Sequence, residues 1–257
     1  KQNYPVFRLK GGIKMENRHD LKISGMTTSS GGFYKDVVVS GTARINGDLD
    51  CMDINIDGVC KIIGNVKAKD IDIDGESKLD GDLECEKIKV NGHSKISGNA
   101  VVKDIDISGA VNLGGSISAE NVSVQGVVKV NGNCDSENFI SRGGFSISGL
   151  LNSGNIEVEL YTKCKVKEIG GEKINVRKGT ASIFDKLIKP LFTMMDIYDG
   201  LTVETIEGDD IYLENTKAKV VRGNNIRIGS NCEIDLIEYK NSFEQSQDAN
   251  VKESRKI

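Results

Sequence analysis

The amino-acid sequence predicts an all-β protein: a right-handed parallel β-helix with 17-residue coils and a triangular cross-section, carrying one amphipathic helix inserted near its C-terminal end. Three observations support this fold class. Two series of glycines recur at a fixed spacing, apolar residues alternate between those glycines, and residues 181–195 place apolar side chains at helical spacing. A short, fixed period is typical of a solenoid, in which each coil contacts only its neighbours.

The two glycine series define the coils. The second series follows the first by six residues in every repeat, and neither series slips, so we expect seven regular coils between Val37 and Gly149. Glycine adopts positive φ without steric strain, which suits it to the corners between strands. The series are Gly41, Gly58, Gly75, Gly92, Gly109, Gly126 and Gly143, and Gly47, Gly64, Gly81, Gly98, Gly115, Gly132 and Gly149.

Between the glycines, apolar residues alternate with polar ones, which predicts short strands with an inward and an outward face. Three such strands in each coil would enclose a triangular core. Successive coils would pair as parallel strands about 4.8 Å apart, wound to the right because parallel crossovers have that hand. One inward column is small throughout: Cys51, Ala68, Cys85, Val102, Ala119, Ser136 and Ser153.

Residues 1–20 match no coil and are expected to form a disordered tail, unless residues 1–14 are sequence translated from upstream of a start at Met15. From Leu21 a shortened coil reaches Val37 one residue early. Terminal repeats are atypical because they cap a solenoid. Phe33 is therefore a candidate capping or interaction residue, and the β-helix is predicted over residues 21–179.

Residues 180–200 are predicted to be a helical insertion, with Pro190 kinking the helix. Three roles for its apolar stripe are open: capping the β-helix, binding a protein partner or a second copy, and lying on a membrane. Membrane contact is the least favoured, because Asp185 offsets Lys186 and Lys189 on the polar face. The candidate residues of the stripe are Ile183, Phe184, Leu187, Ile188, Leu191 and Phe192.

Beyond the insertion, residues 201–240 resume alternation and are predicted to form irregular coils. Residues 241–257 are polar and are predicted to be a disordered tail.

The composition limits the class of protein. The 257 residues carry a net charge of −4, which gives no argument for a nucleic-acid partner. Neither an apolar run of about 18 residues nor a signal peptide is apparent, so a soluble cytoplasmic protein is expected. The six cysteines are expected to be reduced core residues.

Outward columns suggest surfaces. A basic column either is a solvated face balanced by neighbouring acidic columns or binds a polyanion or an acidic membrane surface. Stacked Asp and Asn columns raise the question of calcium, but the glycine-aspartate nonapeptide of calcium-binding solenoids is absent, so no metal is predicted. The basic column is Arg44, Lys61, Lys78, Lys95, Asn112 and Lys129, and the acidic columns are Asp48, Asn65, Asp82, Asn99 and Asp57, Asp74, Asn91.

The coil motif, seen in INGDL at Ile45–Leu49 and LDGDL at Leu79–Leu83, each preceded by a strand and a glycine, resembles the bactofilins. The resemblance covers residues 21–176 and implies a bacterial cytoskeletal protein that polymerises end to end without bound nucleotide. The inserted helix and the later strands make the chain similar to the longer bactofilin-like proteins of Gram-positive bacteria, some of which are implicated in motility and cell shape.

Catalysis is not predicted. Acyltransferase β-helices repeat hexapeptides, whereas the glycine gaps here are six and eleven residues. The two histidines are His19 and His93. His93 has no neighbour of matching chemistry in adjacent coils and is expected on the surface. No phosphate-binding loop or other cofactor motif occurs. Self-association into a filament or smaller oligomer is the predicted function, and a non-polymerising scaffold for protein partners is the alternative.

Overall fold

The structure, a computed structural model, describes residues 18–179 and 200–257. Within these residues it contains 20 β-strands, and strands of successive coils pair in parallel. Contacts divide the chain into two compact units, Lys1–Glu137 and Asn138–Ile257. The protein is an all-β parallel solenoid, and the hand of its winding stays a prediction.

The fold class predicted from the sequence is wrong in one respect, since it included an inserted amphipathic helix. No helix occurs in the described residues. The segment 181–195, to which that helix was assigned, lies outside them. Helical spacing of apolar residues is a local signal, whereas the observed architecture is set by pairing between coils.

The first unit follows the predicted period. Ile71 pairs with Ile88 and Ile88 with Ile105, and the same offset holds from Asp36 to Asn121. The first coil is one residue short, as predicted, because Leu21 pairs with Val37. Its strands are β1 (His19–Ile23), β2 (Met26–Val39), β3 (Thr42–Asp50), β4 (Asp53–Ile56), β5 (Val59–Ile63), β6 (Val66–Ile73), β7 (Glu76–Leu79), β8 (Leu83–Val90), β9 (His93–Ile96), β10 (Ala100–Ile107), β11 (Ala110–Leu113), β12 (Ile117–Val124) and β13 (Val127–Val130), and β14 (Cys134–Ser141) contains the boundary between the units.

Each coil of the first unit has three runs of alternating buried and outward residues, where the sequence predicted three short strands. Two of these runs belong to one continuous strand. In β6, Val66, Ala68, Ile71 and Ile73 are buried, and alternation breaks between Ala68 and Ile71, where the chain turns a corner. The third run is the separate strand β7. The small inward column is fully buried, with Cys51, Ala68, Cys85, Val102 and Ala119 at most 2% exposed.

The glycine columns serve close packing more than turn geometry. A Cβ atom on Gly92 would lie 2.0 Å from the carbonyl oxygen of Gly75, and one on Gly109 would lie 2.0 Å from that of Gly92. Real Cβ atoms do not approach backbone so closely, so each corner leaves no room for a side chain. Positive φ, the predicted reason, applies in the two series only to Gly47 and Gly64.

The column that follows the second glycine series is a hydrogen-bond ladder. Asp48 Oδ1 accepts from the backbone N–H of Asn65 at 2.7 Å, and Asn65 Oδ1 accepts from that of Asp82 at 2.9 Å. The ladder continues through Asn99 and Ser116 to the N–H of Asn133. These side chains satisfy corner amides that strand pairing does not reach. The sequence had suggested only an acidic column here.

The second unit has longer strands and coils of variable length. Ile156 pairs with Ile174, a step one longer than the regular period, whereas Ile211 pairs with Ile226, a step two shorter. Ile174 pairs directly with Ile211, so the sequence between 180 and 199 connects two adjacent coils. The strands of this unit are β15 (Gly144–Leu160), β16 (Cys164–Lys178), β17 (Leu201–Leu213), β18 (Thr216–Ile228), β19 (Glu233–Gln245) and β20 (Asn250–Lys256).

The predicted disordered tail at 241–257 is wrong. Strand β19 continues to Gln245, and β20 pairs with β19 at the regular coil offset, from Glu233 with Asn250 to Tyr239 with Lys256. The tail reads as polar because β20 buries almost none of its side chains. Backbone hydrogen bonds, which composition does not report, hold it in place.

Candidate assembly surfaces

The basic face of the first unit consists of the outward residues within 42–46, 59–63, 76–80, 93–97, 110–114 and 127–131, which belong to β3, β5, β7, β9, β11 and β13 and the residues that follow them. The predicted basic column runs along it in register from Arg44 to Lys129. Lys61 and Lys78 both contact Asp80, at 3.2 and 3.3 Å, and lower the pKa of its carboxyl. In the part of the chain that the structure describes, Lys95 and Lys129 form no ion pair, and both are exposed. The face therefore carries five cations against the two acids Glu76 and Asp80.

The acidic face consists of the outward residues within the runs 36–38, 53–55, 70–72, 87–89, 104–106 and 121–123. It carries six aspartates and only two lysines, Lys87 and Lys89. Asp36, Asp53 and Asp70 stack in register, and burial together with these two like-charged neighbours raises the pKa of Asp53. Sequence reasoning missed this face, although the tripeptide Asp-Ile-Asp recurs at 70–72 and 104–106.

The third face of the first unit consists of the outward residues within 33–35, 50–52, 67–69, 84–86, 101–103 and 118–120. It carries equal numbers of cations and acids and is called the mixed face. Lys67 pairs with Glu84 one coil later, with 3.9 Å between Nζ and Oε1. The neighbouring column alternates in sign: Lys69, Glu86, Lys103 and Glu120. Opposite charges on adjacent strands stabilise pairing modestly.

Phe33, the candidate capping residue, lies on the mixed face with its side chain 69% exposed. The guanidinium of Arg18 lies 5.5 Å from its ring centroid. Arg18 also donates to the carbonyls of Tyr34 and Asp50, at 3.0 and 2.8 Å, and contacts the Asp50 carboxylate at 3.0 Å. This buried arginine ties the first coils together, although the sequence placed it in a disordered tail. A capping role for Phe33 stays a prediction.

The second unit has a charge ladder of its own. Glu207, Arg222, Glu238 and Arg255 occupy successive coils in register. Arg222 Nε donates to Glu238 Oε2 at 2.7 Å and Arg255 Nε to Glu238 Oε1 at 2.9 Å. Glu238 is 5% exposed, and hydrogen bonds from Arg255 and then Arg222 lower its pKa. A buried carboxylate between two guanidiniums fixes the register of three coils.

The cysteines are free and buried, as predicted. Burial raises the pKa of Cys60, Cys164 and Cys232 to about 11. It raises the pKa of Cys51 and Cys134 to about 12 and that of Cys85 as well. Such thiols stay protonated, so they pack as small apolar groups and are poor nucleophiles.

The other candidate residues do not converge. His93 is exposed beside Glu76 and Ala110, as expected, and His19 lies edge-on to Tyr34. Across residues 18–179 and 200–257, no three His, Cys, Asp or Glu side chains are grouped to hold a metal ion. The stripe residues Ile183, Phe184, Leu187, Ile188, Leu191 and Phe192 lie outside the described residues.

No helix in the described part of the chain is long and apolar enough to cross a membrane.

Comparison with known proteins agrees with the coil architecture. The chain is similar to the uncharacterized proteins YhbE and YhbF of Bacillus subtilis (strain 168), with 39% identity over 93 and 92 residues. The matches cover 35% and 36% of this chain and 35% and 34% of those proteins, so the shared segment spans about a third of each relative. No solved structure matches the chain.

A family model described as "Bactofilin: Polymer-forming cytoskeletal" matches residues 5–101 and 69–152. Together these segments cover more than half of the 257 residues and almost all of the first unit. The matched region holds both glycine columns, the corner ladder and the three faces. The chain therefore belongs to the bactofilins, a family of polymer-forming cytoskeletal proteins.

Proposed function

We propose that this protein is a structural component that self-associates into filaments without bound nucleotide and acts in the cytoplasm in bacterial cell shape or motility. The observation that carries this proposal is the match of residues 5–152 to a polymer-forming cytoskeletal family, over coils whose strands pair in parallel at one constant offset. Each coil of a solenoid contacts only its neighbours, so a second copy can stack on a coil by the same backbone pairing that joins coils within the chain.

Two further features support the proposal. The apolar interior of each unit consists of packed side chains, and the free, protonated cysteines suit a reducing compartment. Because coil stacking needs only backbone pairing and apolar burial, assembly requires no nucleotide.

The test uses the full chain. Negative-stain electron microscopy and light scattering, with and without added ATP or GTP, should show filaments that form equally well in both conditions. A wild-type chain that stays monomeric at all concentrations would overturn the proposal.

The alternative is a scaffold that binds protein partners without polymerising. It is favoured by the exposed Phe33 and Val101, which flank a shallow groove floored by Leu49, Val66 and Leu83. This scaffold predicts a monomer whose partner binding is lost in Phe33→Ser.

A further inference from the structure

The basic and acidic faces of the first unit are complementary in both charge and spacing. Five cations against two acids face outward on one side, and six aspartates against two lysines on another. Both sets repeat once per coil because they belong to the same regular period. Adjacent coils lie about 4.8 Å apart, so one face can meet the other with every coil opposite a coil.

From this match we infer that the basic face of one copy docks laterally on the acidic face of a second copy, so that filaments associate side by side. The inference rests on the proposed filament. The contact is heterologous, because different faces meet, and such contacts propagate from copy to copy instead of closing a dimer.

The charges and exposure of individual residues favour a second copy as the occupant of the basic face. Lys95 and Lys129 are exposed, and in the described residues they form no ion pair that would compete. On the acidic side, Asp53 lies between Asp36 and Asp70, and its raised pKa reflects burial and like-charge repulsion that an arriving cation would relieve.

A polyanion or an acidic membrane is the less favoured occupant. The chain carries a net charge of −4, which repels both at long range. A second copy instead brings an acidic face with the same coil spacing.

The small contact area explains why lateral docking of the two faces depends on filament formation. Six coils at about 4.8 Å and four residues at about 3.3 Å cover roughly 380 Å² per copy. This is about half of the roughly 800 Å² per partner of a standard stable interface. One pair of faces is therefore weak, and side-by-side association becomes strong only when many copies in a filament engage together.

The test compares charge-reversal variants of the full chain by electron microscopy. Lys95→Glu with Lys129→Glu should leave single filaments intact but abolish bundles. The matched control, Lys103→Glu with Lys67→Glu, makes the same charge change on the mixed face, where Lys67 contacts Glu84, and should keep bundles. Adding Asp53→Lys, Asp70→Lys and Asp104→Lys to the first variant leaves three aspartates against five lysines on the acidic face, while the basic face has three cations against four acids, so the signs of the faces are exchanged and bundles should be restored.

Wild-type bundles should disperse into single filaments at about 1 M salt, where the Debye length is about 3 Å. Bundles that persist in the Lys95→Glu, Lys129→Glu variant would overturn the inference and leave the proposed filament standing. So would loss of binding to phosphatidylglycerol vesicles with unchanged bundling, which would assign the basic face to membranes.

A second measurement does not depend on filaments. An equal mixture of ¹⁴N- and ¹⁵N-labelled chains at high concentration is treated with a zero-length carbodiimide, which joins lysines to carboxylates in contact. Mixed-isotope cross-links from Lys95 or Lys129 to Asp36, Asp53 or Asp70 are expected. If filaments are absent, the proposed function fails. If these cross-links are also absent, the lateral contact fails too.

Discussion

In the first unit every coil from Asp36 to Asn121 is offset from the next by one constant period, whereas the second unit has a shorter step between Ile211 and Ile226 and a longer one between Ile156 and Ile174. From Gly58 to Gly132, each strict coil places two glycines at corners where a Cβ atom would lie within 3 Å of a backbone atom. The irregular coils instead use long bent strands, and Asn215 and Asn231 adopt positive φ at their turns.

The two units also satisfy corners and fix register differently. The first uses the ladder of short polar side chains that begins at Asp48, each accepting from the next coil's backbone. The second uses the charged ladder centred on Glu238. A hydrogen-bond ladder that repeats in every coil requires a constant coil length. A charged ladder that joins only a few coils tolerates insertions, such as residues 180–199 between paired strands.

The largest effect that would test this comparison is expected from Gly92→Ala. Its new Cβ would lie 2.0 Å from a backbone oxygen, so the coils must separate, and we expect a loss of about 1–3 kcal/mol or more. Gly170→Ala in the second unit meets its nearest atom at 3.4 Å and should change stability by less than about 1 kcal/mol. Chemical denaturation of both variants, with hydrogen exchange resolved by unit, gives the measurement. Equal destabilisation by the two variants would show that the glycine columns do not account for the difference in coil regularity between the units.

Glu238→Gln should destabilise the second unit at neutral pH. The lowered pKa of Glu238 means that its ionised form stabilises the fold above the ordinary glutamate pKa, and that this contribution is lost as the pH falls through the lowered value. The wild type and the variant should therefore differ in thermal midpoint at pH 7 and converge in acid. Glu207→Gln is the control, because Glu207 is exposed and touches Arg222 only at 3.5 Å. A pH-independent difference would contradict the charged ladder.

Asn99→Ala tests the corner ladder of the first unit. It leaves the N–H of Ser116 without its acceptor at 3.0 Å, so a loss of about 1 kcal/mol is expected. Asn112→Ala changes an exposed amide on the basic face and should be nearly neutral. If both variants unfold at the same denaturant concentration as the wild type, the ladder does not contribute to stability.

The smallest effect, of opposite sign, is expected from Asp53→Asn. The pKa of Asp53 is raised, so its ionisation disfavours the folded state once the pH exceeds the ordinary aspartate value, and the penalty is absent below it. Removing a like charge from the stack should add roughly 0.2–1 kcal/mol at pH 7. The gain should vanish near pH 3. The exposed Asp57→Asn should show no such gain, and thermal unfolding at both pH values measures the difference.

Much of the first unit could be predicted from local signals. The glycine period determined the coil length, and the alternation of residues such as Ile71 and Ile88 determined which columns point inward, because side chains of a strand alternate between its faces. The shortened first coil was also visible in the sequence, since it shifts a recognisable apolar pair.

The surfaces were less legible. The basic column was visible because one residue type recurs at one position, but the acidic face alternates between Asp and Lys coils and shows its excess only when whole runs are summed. The structural role of Arg18 was missed because its side chain donates to the carbonyls of Tyr34 and Asp50, which are remote in sequence.

The sequence by itself determined the solenoid, its regular coil length and its buried cysteine and isoleucine columns, because period and alternation are properties of neighbouring residues. Only the tertiary structure decided why the glycines are needed, that β20 pairs although it buries almost nothing, and that Glu238 lies between two arginines. Each of these depends on the distance between adjacent coils, and that distance is set by backbone pairing between residues far apart in the chain.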